Sequence, residues 1–286
     1  MNFFLSFVIL AEIFSIAALS TNLLMGIIGI FSVAQAAIMG IGAYTVALLM
    51  MSGVPFFVAL LAAIVLCAAV NVISSLPSLR LAGDYFIITS FGTQLVATAV
   101  FINWQGLTGG ASGLFDIPLA TIGGWTFATA RQFVLLSTLC LGAVAGSFWL
   151  LMRSPYGRLL HAIRQDEIAA VAAGRRVLRA KVGVAAVSGA YAGIAGGLYA
   201  TYISFIDPTS FDIHVSVLVV TTLVVGGART LAGSIIGPFL LIAVPQLLAM
   251  IDLPSTLLGP MRQLVYGLIL IAFMLWRPQG IAGRRL

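Results

Sequence analysis

Residues 13–79 read IFSIAALSTNLLMGIIGIFSVAQAAIMGIGAYTVALLMMSGVPFFVALLAAIVLCAAVNVISSLPSL, and none of these 67 residues is Asp, Glu, Lys or Arg. A membrane-crossing helix needs about 20 apolar residues, so the run holds several. A second uncharged gap of 31 residues separates Asp84 from Asp116. Over all 286 residues, 61% are hydrophobic and 8% charged, with a mean hydropathy of +1.15. A soluble domain carries about a quarter charged residues, and so few polar side chains cannot cover a water-exposed surface. The chain reads as an integral membrane protein. Its apolar runs are apolar on every face, whereas barrel strands alternate, so the spans are helices. The expected fold is all-α and polytopic, with about nine transmembrane helices (eight to ten), some broken or short. They fall near residues 4–24, 33–51, 55–77, 85–103, 132–152, 182–204, 214–228, 231–250 and 263–277. Residues 1–286 form a single transmembrane domain in this reading. The opening stretch lacks the basic n-region of a cleavable signal and reads as the first span.

Loop charge sets orientation. Between Arg153 and Lys181 lie seven of the fourteen basic residues, against only Asp166 and Glu167. This segment is expected in the cytoplasm. Counting spans from it places Arg80, Arg229, Arg277, Arg284 and Arg285 on the same side, and Asp116, Asp207, Asp212 and Asp252 opposite, with the N-terminus outside. The pI of about 9.8 then reflects topology. The basic stretch lacks the interleaved aromatic residues that stack on bases, so no nucleic-acid partner is expected; the lipid bilayer is.

The 153–181 segment, RSPYGRLLHAIRQDEIAAVAAGRRVLRAK, is long enough to carry its own structure. Leu159, Leu160, Ile163, Ile168, Val171 and Ala172 recur at roughly helical spacing, which predicts one or two short amphipathic helices. Small residues from Glu167 to Gly174 let another surface approach closely, and Gly174 ends the helix in a left-handed conformation. A lipid-binding face would carry bulky Leu, Phe or Trp, so docking of a cytoplasmic protein is favoured over a helix on anionic lipid or a plain topogenic loop.

The pattern SPYGRLLHAIRQDEIAAVAAGRRVLRAKV resembles the cytoplasmic loop of LivM-like permease subunits of branched-chain amino acid ABC importers. Further resemblances follow in order: GIIGIFSVAQAAIMGIGAY (26–44), GDYFIITSFG (83–92), NWQGLTGGASGL (103–114), GIAGGLYATYISFIDPTSF (193–211) and VVGGARTLAGSIIGP (224–238). The chain departs from the family pattern at Gln35 with the two following alanines, and at Arg229-Thr230. The resemblance implies a coupling helix seated in a groove of an ATPase subunit, with Arg164, Asp166, Glu167, Ala169, Ala170 and Gly174 as coupling residues. It also implies a second, LivH-like permease, two cytoplasmic ABC ATPases and a periplasmic or extracellular substrate-binding protein, in the cytoplasmic (inner) membrane of a bacterium or archaeon. The cargo would be branched-chain or related amino acids, with urea, amides or aromatic acids as the same-family alternative.

Thirty glycines need a reason. Gly189, Gly193 and Gly197, at spacing four, predict close helix packing. Gly26 and Gly29, Gly109 and Gly110 after Thr108, and Gly226 and Gly227 divide the apolar runs. Interrupted segments in both halves of a chain point to a transport pathway, so Thr108, Gly109, Gly110, Gly226 and Gly227 are pathway candidates. GIIGIFSVAQAAIMG (26–40) and GGARTLAGSIIG (226–237) share a pattern suggestive of an internal repeat. Asn22, Gln35, Asn71, Thr93, Gln94 and Thr98 are expected to bond helix to helix. Within the spans only Glu12 is ionisable, near the outer boundary or facing a neighbour, so an ion-coupled transporter, which buries coupling carboxylates, is the weaker reading. No phosphate-binding Gly-rich Lys motif, no His-Glu-x-x-His and no Gly-x-Ser-x-Gly occurs, while Cys67, Cys140, His161 and His214 are isolated. The expectation is a transport subunit that is not an enzyme, with no cofactor and no metal.

Overall fold

A computed structural model describes residues 2–77, 84–122, 125–127, 129–248, 255–276 and 279–283. Arg80, Asp252, Arg277, Arg284 and Arg285, used above for orientation, lie outside them.

The architecture is helical. In chain order the helices are α1 (Asn2–Thr21), α2 (Gln35–Met51), α3 (Phe56–Ser75), α4 (Asp84–Asn103), the single turn α5 (Gln105–Thr108), α6 (Ala130–Arg153), α7 (Pro155–Gln165), α8 (Glu167–Ala172), α9 (Val177–Ile203), α10 (Ile213–Gly226), α11 (Leu231–Leu248) and α12 (Ser255–Trp276). A two-residue antiparallel strand pair, Thr121–Ile122 with Trp125–Thr126, is the sole β-sheet among the described residues. Six segments are long and apolar enough to cross a membrane: Phe4–Ile28, Phe56–Ser75, Tyr85–Asn103, Ala130–Arg153, Val177–Ile203 and Pro208–Gly226. Gln35–Met51, Leu231–Val244 and Leu264–Phe273 are shorter apolar helices. α10 itself has only 14 residues, and the 3-10 turn Pro208–Phe211 that precedes it lengthens the apolar segment to Pro208–Gly226.

α9 organises the core because its glycines remove the side chains that would hold neighbours away. A Cβ on Gly193 would lie 2.9 Å from the Ala63 carbonyl oxygen of α3, and one on Gly196 would overlap the Met39 carbonyl oxygen of α2. The expected row of Gly189, Gly193 and Gly197 takes α3 along its length and α2 at Gly197, and Gly196 beside it takes α2. Gln35 of α2 bonds to Ser188 (3.4 Å), while the α2 residues Met39 and Val46 meet Gly196 and Gly197, so α2 runs parallel to α9. α3 runs antiparallel, with Asn71 Nδ2 donating to the Ala185 carbonyl (2.7 Å) and Leu60 meeting Gly197. At 1.5 Å per residue, α9 spans roughly 40 Å, enough for a bilayer core.

Glu12 is buried within the chain rather than facing a neighbouring subunit. Ser137 and Thr138 of α6 donate hydroxyls to its two carboxylate oxygens, the latter at 2.7 Å, which meets the polar group where lipid could not. The chain also sorts its ends. Leu114 and Ile206 pair backbone to backbone at the end where α9 finishes. Arg229, His161 and Ala282 come together at the end where α9 starts. α1 finishes at that second end, with Asn22 bonded to the Arg229 amide, so its N-terminus belongs to the first.

Candidate functional site: a surface helix pair and two broken helices

The polar segment after α6 folds into two helices. Ser154 accepts from the Gly157 amide (3.3 Å) with Pro155 in the first turn, a favourable helix start. Asp166 ends α7 and caps α8, accepting from the Ala169 amide at 2.9 Å. Gly174, at φ +74°, closes α8 in the left-handed region. The connecting segment is shorter than 153–181, because Arg179 and Lys181 already belong to α9.

α7 lies on the membrane domain through Gly157, Leu160 and Ile163, a stripe at spacing three. The Tyr156 hydroxyl donates to the Ala180 carbonyl of α9 (2.6 Å), and burial pushes that phenol's pKa up. Arg164 reaches a long contact, 3.5 Å, with the Met25 carbonyl, just before the interruption that follows α1. Glu167 receives both oxygens' contacts from the Lys181 ammonium of α9 at 2.7 Å. Between α7 and α8 opens a groove of about 680 Å³, lined by Leu159, Ala162, Asp166, Ala169 and Ala173 among others.

The site residues anticipated from sequence therefore divide. Arg164 and Glu167 tie the pair to the membrane helices, Asp166 and Gly174 shape it, and Ala169 lines the groove. Ala170 is largely buried and lines the floor of the same groove. The exposed edge is instead bulky: Ile168 is 83% and Val171 57% exposed. Their helical spacing was legible, but it suggests a face turned toward the body, and they face away.

The broken segments carry the second half of the site. After Thr21 the backbone widens to a π-helix over Asn22–Ile28, ends at Gly29 (φ +82°) and restarts as α2 at Gln35. The first amides of a restarted helix need acceptors in a medium without water. Here α4 and α10 supply them: Gln94 Oε1 accepts from the Ala37 amide (3.0 Å), Ser216 Oγ from Ala36 (2.9 Å) and Ser90 Oγ from Val33 (3.1 Å). Gln35 donates to Ser20, and Ser20 to the Ser188 carbonyl (2.6 Å), joining α1, α2 and α9. Thr93 and Thr98, expected between helices, bond to their own α4 carbonyls; Thr98 also receives a long contact, 3.4 Å, from Gln94.

The second break, between α10 and α11, meets the first. Asn22 Nδ2 donates to the Thr230 carbonyl (3.1 Å) and Ser234 Oγ (2.8 Å), and its oxygen accepts from the Arg229 amide (2.9 Å). Gly226 and Gly227 lie there, Gly227 at φ +112°, packed against residues 280–283. Thr108, Gly109 and Gly110 lie at the opposite end. Thr108 Oγ1 donates to the Phe101 and Trp104 carbonyls (2.7 and 2.8 Å), and the glycines take φ +74° and +62° in a tight turn. The structure thus does not bring the two groups of pathway candidates together. The serine and glutamine acceptors around α2 were not anticipated as a set; Gln94 alone carried a sequence signal, as an amide in an apolar run.

Helices interrupted within an apolar bundle, amide-bearing side chains serving the interruption, and a helix pair clamped to one end define the class: a multi-pass membrane permease subunit. The chain belongs to the family of branched-chain amino acid transport system permease components, whose model matches residues 3–274. The high-affinity branched-chain amino acid transport system permease protein LivM of Escherichia coli K12 is 31% identical over 95% of this chain and 68% of its own length. The probable LivM of Methanocaldococcus jannaschii is 30% identical over 50% of this chain and 41% of its own. The xylose transport system permease protein XylH of Escherichia coli K12 is 28% identical over 43% of this chain and 32% of its own. In fold, the chain is similar to one in the complex of PsaBC from Streptococcus pneumoniae with Fab: TM-score 0.51, 18% identity, covering 96% of this chain and 91% of that one.

Proposed function

We propose that the chain is the membrane subunit of an ATP-driven importer of the ABC class, its residues 1–286 forming one domain in which all nine apolar helices cross the cytoplasmic membrane of a bacterium or archaeon. The α7–α8 pair, with the C-terminus, faces the cytoplasm and docks on one of two ATPase subunits. A second permease of LivH type and an external binding protein complete the assembly. The observation that carries this reading is the exposed apolar edge of α8, Ile168 and Val171, beside an open groove on a helix pair whose other face is fixed. Asp166 at the cap and Glu167 in the first turn of α8 place carboxylates beside that edge, and Arg158 and Arg175 line the groove.

Movement of a docked α8 pulls on α9 through Glu167–Lys181 and on the first break through Arg164. Because the breaks meet at Asn22, both gates respond together, the kind of rigid-element switching that alternates access. Thr108–Gly110 and Gly226–Gly227 then mark opposite mouths of one route. The family and its LivM members favour branched-chain or related amino acids as cargo. The kinship to XylH favours variable cargo on a shared frame, so urea, amides or aromatic acids are the alternative.

Reconstituted with its ATPases, the assembly carrying Ile168→Asp with Val171→Asp loses ATP-driven leucine uptake while inserting normally. Gly174→Trp and Glu167→Arg act in the same direction. Unchanged uptake in all three would refute the docking role. The ion-coupled reading draws on Glu12, a buried carboxylate. It requires uptake that a protonophore stops, that ATP depletion spares and that Glu12→Gln abolishes.

A further inference from the structure

A cavity of about 690 Å³ opens between the C-terminal end of α6, the middle of α7 and the α10–α11 break. Its polar wall carries two guanidinium groups: Arg153 and Arg229 line it with the imidazole of His161 and Thr230, and among the described residues no carboxylate lines it. Its other wall is apolar, with Trp149 and Met152 of α6 and Leu231 of α11. The cations are held in place by other parts of the chain. Arg153 lies over the Trp149 ring, 4.0 Å from its centre. Arg229 sits at φ +75°, its amide fixed by Asn22, and Thr230 Oγ1 accepts from the Gly233 amide at the start of α11.

Burial and then the Arg229 charge hold both His161 and Arg164 below their ordinary values. Arg153 and Arg229 bring two guanidinium groups from α6 and the α10–α11 break to one lining, beside a His161 that is neutral at pH 7, with no carboxylate among the described lining residues, and an anion relieves the repulsion between them. Guanidinium groups match phosphate oxygens in geometry as well as charge. The apolar wall continues onto the outer face of α6, where Trp149 and Leu150 are exposed. An anion that carries hydrocarbon satisfies both walls.

We propose that this cavity binds the phosphate of an anionic phospholipid headgroup, with Arg153 and Arg229 on its oxygens and the acyl chains along Trp149 and Leu150. The inference rests on the chain's place in a membrane and not on docking of an ATPase. A lipid held there ties the α6–α7 junction to the second break.

The test uses the chain in its native assembly, in nanodiscs of phosphatidylcholine alone or with phosphatidylglycerol, read by native mass spectrometry and apparent Tm. Phosphatidylglycerol raises the Tm of the wild type and stays bound in the spectrometer. Arg153→Gln with Arg229→Gln loses both effects while keeping its Tm in phosphatidylcholine, and Arg153→Gln alone loses part. Each guanidinium lost weakens retention by about tenfold, the equivalent of one charge-assisted hydrogen bond. Equal gains from phosphatidylglycerol in wild type and double variant overturn the site. Full protection by inorganic phosphate in phosphatidylcholine discs, with nothing added by phosphatidylglycerol, overturns the lipid assignment in favour of a free anion. Neither result depends on transport, so failure of the importer reading is seen separately.

Discussion

A methyl group added at Gly196 and one added at Gly142 act in opposite directions, although both residues sit on membrane helices. At Gly196 a Cβ overlaps the Met39 carbonyl and lies 2.8 Å from the Ala43 amide nitrogen, so α2 and α9 must separate. At Gly142 a Cβ meets nothing within 4 Å. Gly196→Ala is therefore expected to cost about 1–3 kcal/mol through overpacking. Gly142→Ala gains about 0.5–1 kcal/mol by restricting the unfolded backbone. Thermal melting of both variants in one detergent checks the signs, and a stabilised Gly196→Ala would mean that α2 does not touch α9 there. Asn22 poses a different residue-scale problem, because its one amide serves three partners across the two breaks. Replacing it with Ala leaves the part-buried Arg229 amide without its acceptor, at a cost of about 1 kcal/mol. The same melting series measures this loss, and a Tm equal to wild type would show that the breaks hold each other by packing alone.

α8 is exposed except at Ala170, and a single ion pair joins its side chains to α9. Glu167 is half exposed, so the pair with Lys181 contributes little to overall stability, about 0–1 kcal/mol. Its consequence is positional. Glu167→Lys and Lys181→Glu are each expected to lower uptake-linked ATP hydrolysis and, because Lys181 is buried, the Tm as well, and the exchanged pair to restore much of both. Restoration absent in the double variant would remove the tether from the coupling path. α7 carries a pH dependence. His161 has a folded pKa below its ordinary 6.5, through burial first and then the charges of Arg229 and Arg164. The unfolded chain thus binds the proton more tightly, so stability is lost as pH falls below about 6.5. In neutral lipid the Tm of wild type drops from pH 7 to pH 5.5 more than that of His161→Gln, and parallel profiles would contradict the assignment. The existence of these elements was legible in sequence, since a charged, periodic stretch between uncharged runs has few other fates. Which face of α8 is covered was not. Six residues give too little periodicity, and the answer lies in Lys181, a residue of the next helix. The start of α2 was hidden for a similar reason: its amides are met by Gln94, Ser216 and Ser90, which lie 57 or more residues further along the chain.

For the whole molecule, sequence and geometry reach the same sorting by independent routes. Lys and Arg content places Arg229 with the 153–181 segment, and the fold brings Arg229 against His161 and Ala282. Counting spans from that segment places Asp116 with Asp207 and Asp212, and the backbone pairing of Leu114 with Ile206 gathers those loops at the other end. Nothing local forces this agreement. It follows if α6, α9 and α10 each traverse the bilayer, because every traverse exchanges the ends. α2 is the sensitive case, being only 17 residues long and starting from a buried break. Its parallel course along α9 carries Ser52 to the end where α9 finishes. Cysteines placed at Ser52, Ser112 and Thr209, all exposed, should therefore react with a membrane-impermeant maleimide in intact cells. Cysteines at Ala173 and Gln279 should react only after the membrane is opened. The native thiols give little background, since Cys67 is buried and Cys140 half-buried within membrane helices. If Ser52 labels with Ala173 instead, α2 returns to the side it came from. The first half of the chain then crosses one time fewer, and the two breaks cannot serve as paired gates on one route.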